Sequence, residues 1–374
     1  MKIIIGTTEY PPYGAGIANV VYNLVEELNK EDNIECIVCS PSGPDVKLGS
    51  NKLIKRTGII GLLFFWLKFS RYIRKRKFDV VWMHNPFVFS KLKNRNKVIT
   101  MHSTKYGNKI YGMKPRTYYY IVSIIEKICL NRIKDNAIFT GVGKNVCQEL
   151  IEIGIEKDKI VYILNGVNTN KFQKHKNKKK IRNLFRIPKD KIILLNIGRV
   201  TDQKQPLKLL DFFSRLEKLN KRLFLVIAGS GNLLEKTKEK SKELEIQNIR
   251  FLGYIDEKDK PLLYSCSDYF IVASKYEGGQ PILTLAEAMS SGLPSIVSDI
   301  KNLKIVEEID AGIVIDFNNI EPNVKKVHKF LLDSNYESLS KNAIKYVKEK
   351  WDWQIIIKKY IKIFFNIKKL RIKR

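Results

Sequence analysis

Tyr269-Phe-Ile-Val-Ala273-Ser274-Lys275-Tyr276-Glu277-Gly278-Gly279-Gln280-Pro281 reads as one buried strand, one polar loop and the opening turn of a helix that carries Glu287 and closes at Gly292. The strand is short, apolar and rich in aromatic and β-branched residues. Pro281 suits the first helical turn, where a missing N–H costs nothing, and Gly292 suits the position just past the last turn. Outward from this stretch the same order recurs. Apolar runs at residues 2–6, 35–39, 79–83, 97–101 and 136–140 alternate with helical patterns, and a second series at 191–196, 223–228, 269–273 and 294–298 follows a lysine-rich break at 174–180. Such alternation predicts parallel strands joined by crossover helices, here in two successive doubly wound α/β domains. The expected boundaries are residues 1–170 for the first domain and 188–352 for the second, with a linker near 166–188 before Pro188 introduces a fresh strand. Beyond them, Ile356, Tyr360, Ile363, Phe364 and Ile367 fall at helical spacing opposite Lys358, Lys362 and Asn366, so residues 353–374 read as a basic amphipathic helix.

Length and composition fit this reading. The 374 residues suffice for two domains, and 44% hydrophobic with 28% charged residues is ordinary for a globular chain. The charge is not ordinary: 68 Lys and Arg against 38 Asp and Glu give +30, a field that attracts nucleic acid, anionic lipid or phosphorylated ligands, unless it only reflects a Lys- and Ile-rich composition. Cys36, Cys39, Cys129, Cys147 and Cys266 are odd in number and widely spaced, which is no disulfide framework and fits a reducing cytoplasm. Cys36 and Cys39 fall within one strand, where residues three apart face opposite sides, and this argues against a shared metal. The N-terminus has no secretory pattern, and the longest apolar run, residues 59–67, is far below the ~20 residues that span a bilayer.

In open parallel sheets ligands bind beyond the carboxyl ends of the strands. Four such places carry polar or glycine-rich sequence. Tyr10-Pro-Pro-Tyr-Gly14-Ala-Gly16 precedes a helix, and its glycines let backbone amides approach an anion or a sugar. His84 and His102 follow the strands ending at Met83 and Met101. Gly198-Arg199-Val-Thr-Asp-Gln-Lys204-Gln205 follows the first strand of the second half, where a guanidinium fork and an ammonium suit the two phosphates of a nucleotide diphosphate. The fourth place is the opening stretch, which sets Glu277, Gly278 and Gly279 beside a helix N-terminus with free amides and a positive dipole.

These four places, in this order, resemble family 4 of the retaining glycosyltransferases, and the resemblance runs over nearly the whole chain, including Asn165-Gly-Val-Asn168 and Ala228-Gly-Ser-Gly231. It implies the GT-B fold, two Rossmann-like domains facing across a cleft, with the C-terminal helix packed back on the first. It implies that Arg199 and Lys204 hold the donor pyrophosphate, that Glu287 binds the ribose diol and that Glu277 sits near the sugar hydroxyls. His102 then lies against the transferred sugar, Gly16 belongs to the glycine loop at the cleft, and Gly278 and Gly279 form the donor loop. Glu277 and Glu287 have nine residues between them, two more than is usual in the family, and the loop from Gly278 to Pro281 must absorb the excess. Asn168 stands where an Asp is more usual.

The activity so implied is transfer of a hexose from a nucleotide diphosphate sugar, with retention, to a glycan or lipid-linked acceptor. Domain closure would exclude water from the reaction. The chain has no Asp-x-Asp, so no metal and no other cofactor is expected. Residues 59–67, with Trp66, followed by Arg71, Arg74, Lys75, Arg76 and Lys77, read either as an ordinary crossover helix or as a patch that holds a cytoplasmic protein on an anionic membrane. Two other readings share part of these features. A nucleotide-sugar epimerase or a phosphorylase would use the same phosphate and ribose contacts, and a basic nucleic-acid-binding protein would account for the charge but contains no recognisable module.

Overall fold

The computed structural model describes residues 1–372 apart from 15, 94, 111–114 and 175–176; side chains from 369 onward, and residues 373–374, which end the expected C-terminal helix, lie outside that description. The chain divides into two compact units. One comprises Met1–Gly166, Gly278–Gln280 and Trp353–Arg374, and the other Val167–Glu277 and Pro281–Asp352.

The first unit is built on seven parallel strands: β1 (Lys2–Gly6), β2 (Glu35–Ser40), β3 (Val46–Lys47), β4 (Val80–His84), β5 (Lys97–Met101), β6 (Ala137–Gly141) and β7 (Ile160–Tyr162). Their order is β3-β2-β1-β4-β5-β6-β7. The chain winds outward from β1, then crosses back to lay β4 on its other side, so the β1/β4 border is the switch point. Every residue of β4 and β5 is buried, which is why both read as continuous apolar runs without alternation. Residues of β4 still alternate between faces. Val81 and Met83 join one core with Phe65, Phe69 and Ile73 of the helix Ile59–Arg74 and with Val122, Cys129 and Leu130 of the helix Arg116–Ile133. Trp82 points the other way, where the rings of Tyr360 and Phe364 lie 4.9 and 5.1 Å from it. These belong to the helix Trp353–Ile372, which also touches the helix Gly16–Leu28 and is pinned by Lys368 to Asp79 at 3.0 Å.

The second unit has six parallel strands: β8 (Ile192–Ile197), β9 (Leu223–Ala228), β10 (Ile249–Gly253), β11 (Tyr269–Val272), β12 (Ser295–Ser298) and β13 (Gly312–Ile315), in the order β10-β9-β8-β11-β12-β13. Its switch point is the β8/β11 border. Four strands are additional to those read from sequence: β3, β7 and β10 are short or half-buried edges without a clear apolar run, and β13 has only four residues.

Two further differences have physical causes. Residues 167–187, expected to be linker, start the second unit: Val167 N donates to Trp351 O at 2.8 Å, and a helix at Lys178–Leu184 places Arg182, 5% exposed, against Asp268 at 2.6 Å. Trp66, part of the run that could have formed a membrane patch, is fully buried with Phe65 and Phe69, its ring edge-on to both.

Candidate active site

At the carboxyl end of β8 the backbone of Gly198 (φ +149°) lies so close to Gly229 (φ +136°) that a Cβ on Gly229 would run into the Gly198 carbonyl. Only glycine permits that approach. Gly198 N donates to Ala228 O and Val200 N to Ser230 O, each at 2.9 Å, so the Ala228–Gly231 turn braces the loop that carries Arg199. A single 3₁₀ turn, Asp202–Lys204, then leads through left-handed Gln205 (φ 45°) into the helix Pro206–Leu219.

This turn brings Lys204 to Glu277, which follows β11. The ammonium is ion-paired to Glu277 Oε1, the Ser274 hydroxyl donates to the same oxygen, and the two side chains are only 18% and 7% exposed. Both loops are tied down. Gln203 Nε2 donates to Tyr276 O, Lys275 N to Gln203 O and Asn302 Nδ2 to Glu277 O, all at 2.8 Å. Arg199 stays exposed and donates to Gln203 Oε1 at 3.2 Å. The result is a charged, pre-formed shelf at the switch point with one buried carboxylate and two cations.

Glu287 lies in the helix Leu283–Ser290, whose N-cap is Ile282 with no side-chain cap; Leu285 N donates to Ile282 O at 3.1 Å, and the amides of Leu283 and Thr284 have no partner among the described residues. Pro281 therefore stands just before the cap rather than inside the first turn. The Tyr264 hydroxyl donates to Glu287 Oε2 at 2.8 Å. Burial raises the Glu287 carboxyl above its usual range, against the opposing pull of Lys260 and of the Tyr264 hydroxyl. Gly278 and Gly279 are half-buried and group, with Gln280, in the first unit, where Gln280 N donates to Val142 O at 2.9 Å and Asn165 N to Gln280 O at 3.0 Å.

In the first unit Gly16 is the exposed first residue of its helix, beyond β1, and Gly14 has φ +107°; Ala15 between them lies outside the described residues. His84 is the last residue of β4, not the one after it, and His102 follows β5. Nδ1 of His84 and Nε2 of His102 are 2.9 Å apart. The ring planes differ by only 17° with centroids 5.2 Å apart, the geometry of an in-plane N–H···N bond. Burial drives the His102 imidazole down to about 3, and burial, with the charge of His102 second, holds His84 well below its usual value. Asn85, left-handed at φ 46°, receives the His102 amide at 2.8 Å. The segment after His102 is fastened by two buried carboxylates: Glu149 accepts from the Thr104 hydroxyl at 2.6 Å, and Glu126, its carboxyl pushed up by burial to about 7, accepts from Lys105 N at 2.7 Å.

Arg199, Lys204 and Glu277 thus meet at one switch point, Glu287 stands on the helix that follows, and Gly16 and His102 belong to the other unit. Among the described residues no group of three or more His, Cys, Asp or Glu could hold a metal ion. Sequence reading did not find Ser274, Asn302, Tyr264 or Glu126. Only Ser274, three residues before Glu277, carried a local signal.

Comparison with known proteins agrees on the kind of molecule. The "Glycosyltransferase Family 4" model matches residues 14–171 and the "Glycosyl transferases group 1" model residues 177–350. An uncharacterized glycosyltransferase of Methanocaldococcus jannaschii is 23% identical over 97% of this chain and 98% of its own. The UDP-Gal:α-D-GlcNAc-diphosphoundecaprenol α-1,3-galactosyltransferase of Escherichia coli is 24% identical over 91% of each. Among solved structures, Anabaena HepE in complex with UDP and glucose superposes with a TM-score of 0.76 at 13% identity, over 98% of this chain and all of that one. The fold is GT-B.

Proposed function

This chain belongs to the family 4 glycosyltransferases, and from that premise we propose that it is a retaining, metal-independent enzyme that moves a hexose from a nucleoside diphosphate sugar to a glycan or lipid-linked acceptor. The observation that carries the proposal is the Lys204–Glu277 pair with Ser274 at the β8/β11 switch point, flanked by Arg199. As the bond between the sugar's anomeric carbon and the diphosphate breaks, negative charge grows on the leaving phosphate. Arg199, Lys204 and the free amides at Leu283 meet that charge without reorganising. The acceptor oxygen bonds to the anomeric carbon from the face the diphosphate leaves, and its proton passes to the departing phosphate. Glu287, held by Tyr264, takes the ribose hydroxyls, and His102 lies against the sugar.

The E. coli relative acts on an undecaprenol-linked sugar, and the surface of the first unit supports a membrane acceptor here. The helix Arg116–Ile133 buries Val122, Glu126, Cys129 and Leu130 but exposes Tyr120, Ile121, Ile124 and Ile128. The outer side of the helix Ile59–Arg74 adds exposed Ile60, Phe64 and Leu67. Exposed cations of the same two helices, Lys68, Arg71, Arg116 and Lys127, flank the apolar side chains. Two copies of a chain with a charge of +30 repel each other, whereas an anionic lipid surface complements both features, which supports a place on the cytoplasmic face of a membrane. No helix among the described residues is long and apolar enough to cross one.

A thermal-shift screen of nucleoside diphosphates and their sugar conjugates, without metal, tests the donor site. One base family is expected to raise the melting temperature, with the rise reduced in Lys204→Ala and Glu287→Ala. A folded wild-type sample that responds to none of them refutes the donor-site assignment.

A further inference from the structure

The hydrogen bond between His84 and His102 leaves a choice that the surrounding burial resolves. One proton lies between Nδ1 of His84 and Nε2 of His102, and which ring owns it decides what the far side of each ring can do. If His102 donates, His84 must carry its own proton on Nε2. That nitrogen is sealed from solvent and has no hydrogen-bond partner among the described residues. If His84 donates, its Nε2 holds only a lone pair. A buried N–H without an acceptor is the rarer and more costly of the two. The low proton affinity of both rings leaves no second proton to share between them.

We propose that His84 is a positioning residue that fixes the tautomer of His102, so that His102 presents Nδ1–H as a donor to the transferred sugar. His102 Nδ1 has no partner in the protein among the described residues and, unlike His84 Nε2, is not a sealed orphan. With Nε2 committed to His84 and Nδ1 protonated, His102 has no free lone pair and acts as a hydrogen-bond donor, not as a general base. The surroundings hold His84 in register. Its ring centroid lies 4.7 Å from that of Trp82, Trp82 Nε1 donates to Thr100 Oγ1 at 2.8 Å, and Thr100 shares a hydrogen bond with Thr140 at 2.7 Å. The sugar as recipient rests on the function proposed above; the tautomer does not.

The test uses the full chain with ring-¹⁵N histidine, which gives only four rings to resolve. Long-range ¹H–¹⁵N correlation, assigned through His102→Gln, is expected to show protonated Nδ1 and bare Nε2 on His102. His84→Asn keeps an amide donor near the position of Nδ1 and should preserve this state, whereas His84→Leu should lose it. A wild-type His102 protonated on Nε2 overturns the proposal, and this result does not depend on how the variants fold. With the donor nucleotide that responds in the thermal-shift screen, His84→Leu should lower kcat about tenfold with KM little changed, the size of one hydrogen bond, and His84→Asn should restore it. An altered tautomer with unchanged kcat refutes the link to the sugar. Absence of any donor response refutes the transferase site and leaves the spectroscopic result to decide the tautomer.

Discussion

The two units share one architecture and differ in what they set at the switch point. The first places neutral groups there or on the neighbouring strand end, with His84 and His102 joined through ring nitrogens beside Trp82 and Thr100. The second places charge, Lys204 against Glu277 with Arg199 exposed beside them. The sheet supplies the place and the side chains supply the chemistry. Neutral, directional groups suit hydroxyls of a sugar, and cations suit a diphosphate.

The contrast breaks if the ion pair of the second unit can be removed without loss. Lys204→Met leaves Glu277 buried without its counter-charge and should destabilise the protein by about 3 kcal/mol in denaturant unfolding. Adding Glu277→Gln should return much of that stability and none of the transfer activity. A Lys204→Met variant as stable as wild type would mean the pair is solvated and the shelf is not pre-formed.

A smaller effect sharpens the other half. His84 and His102 are held neutral when folded, and the unfolded chain takes up their protons near pH 6.5. The unfolded state therefore binds more protons as the pH falls from about 6.5 toward 3, and stability drops along that window. His84→Asn removes one of the two groups and should flatten the acid-side loss by at most about 1.4 kcal/mol per pH unit. Parallel stability curves for variant and wild type would show that His84 is protonated without cost.

The least effect on folding is expected at the surface of the first unit. Ile121→Asp with Ile124→Asp should shift stability by about 0.5 kcal/mol or less, since both side chains are exposed, yet abolish binding to anionic liposomes. Undiminished liposome binding would refute the proposed membrane contact of this helix.

Much of this was legible in the sequence where a period or a fixed spacing carried it. The apolar runs that became β1, β4, β5, β8, β9 and β11 announce themselves because strands buried on both faces need no polar alternation. The membrane-facing expectation shows the limit. Residues 59–67 read as an unbroken apolar run with Trp66 at its heart, but a helix turns 100° per residue, so Phe65, Trp66 and Phe69 went into the core and left Ile60, Phe64 and Leu67 outside. The broader apolar face, on Arg116–Ile133, is hidden in the sequence because Thr117, Ser123 and Glu126 interrupt the run, although two of those three are buried. Partners that meet across long sequence distances, such as Asn302 with Glu277 and Tyr264 with Glu287, left no local mark.

Arg182 has a consequence for anyone who wishes to express the second unit alone. Its guanidinium reaches Asp268 and the carbonyls of Cys266, Lys189 and Lys191, while Lys178 holds the other oxygen of Asp268. Upstream, the Phe172 carbonyl accepts the Ser290 hydroxyl and its ring meets Tyr264 edge-on. A gene fragment beginning at Pro188 would strip Asp268 of both cations and uncover Tyr264, the residue that holds Glu287. Phe172, Lys178 and Arg182 are masonry in a region that looks like a tether, and a fragment that keeps their contacts must start before Phe172.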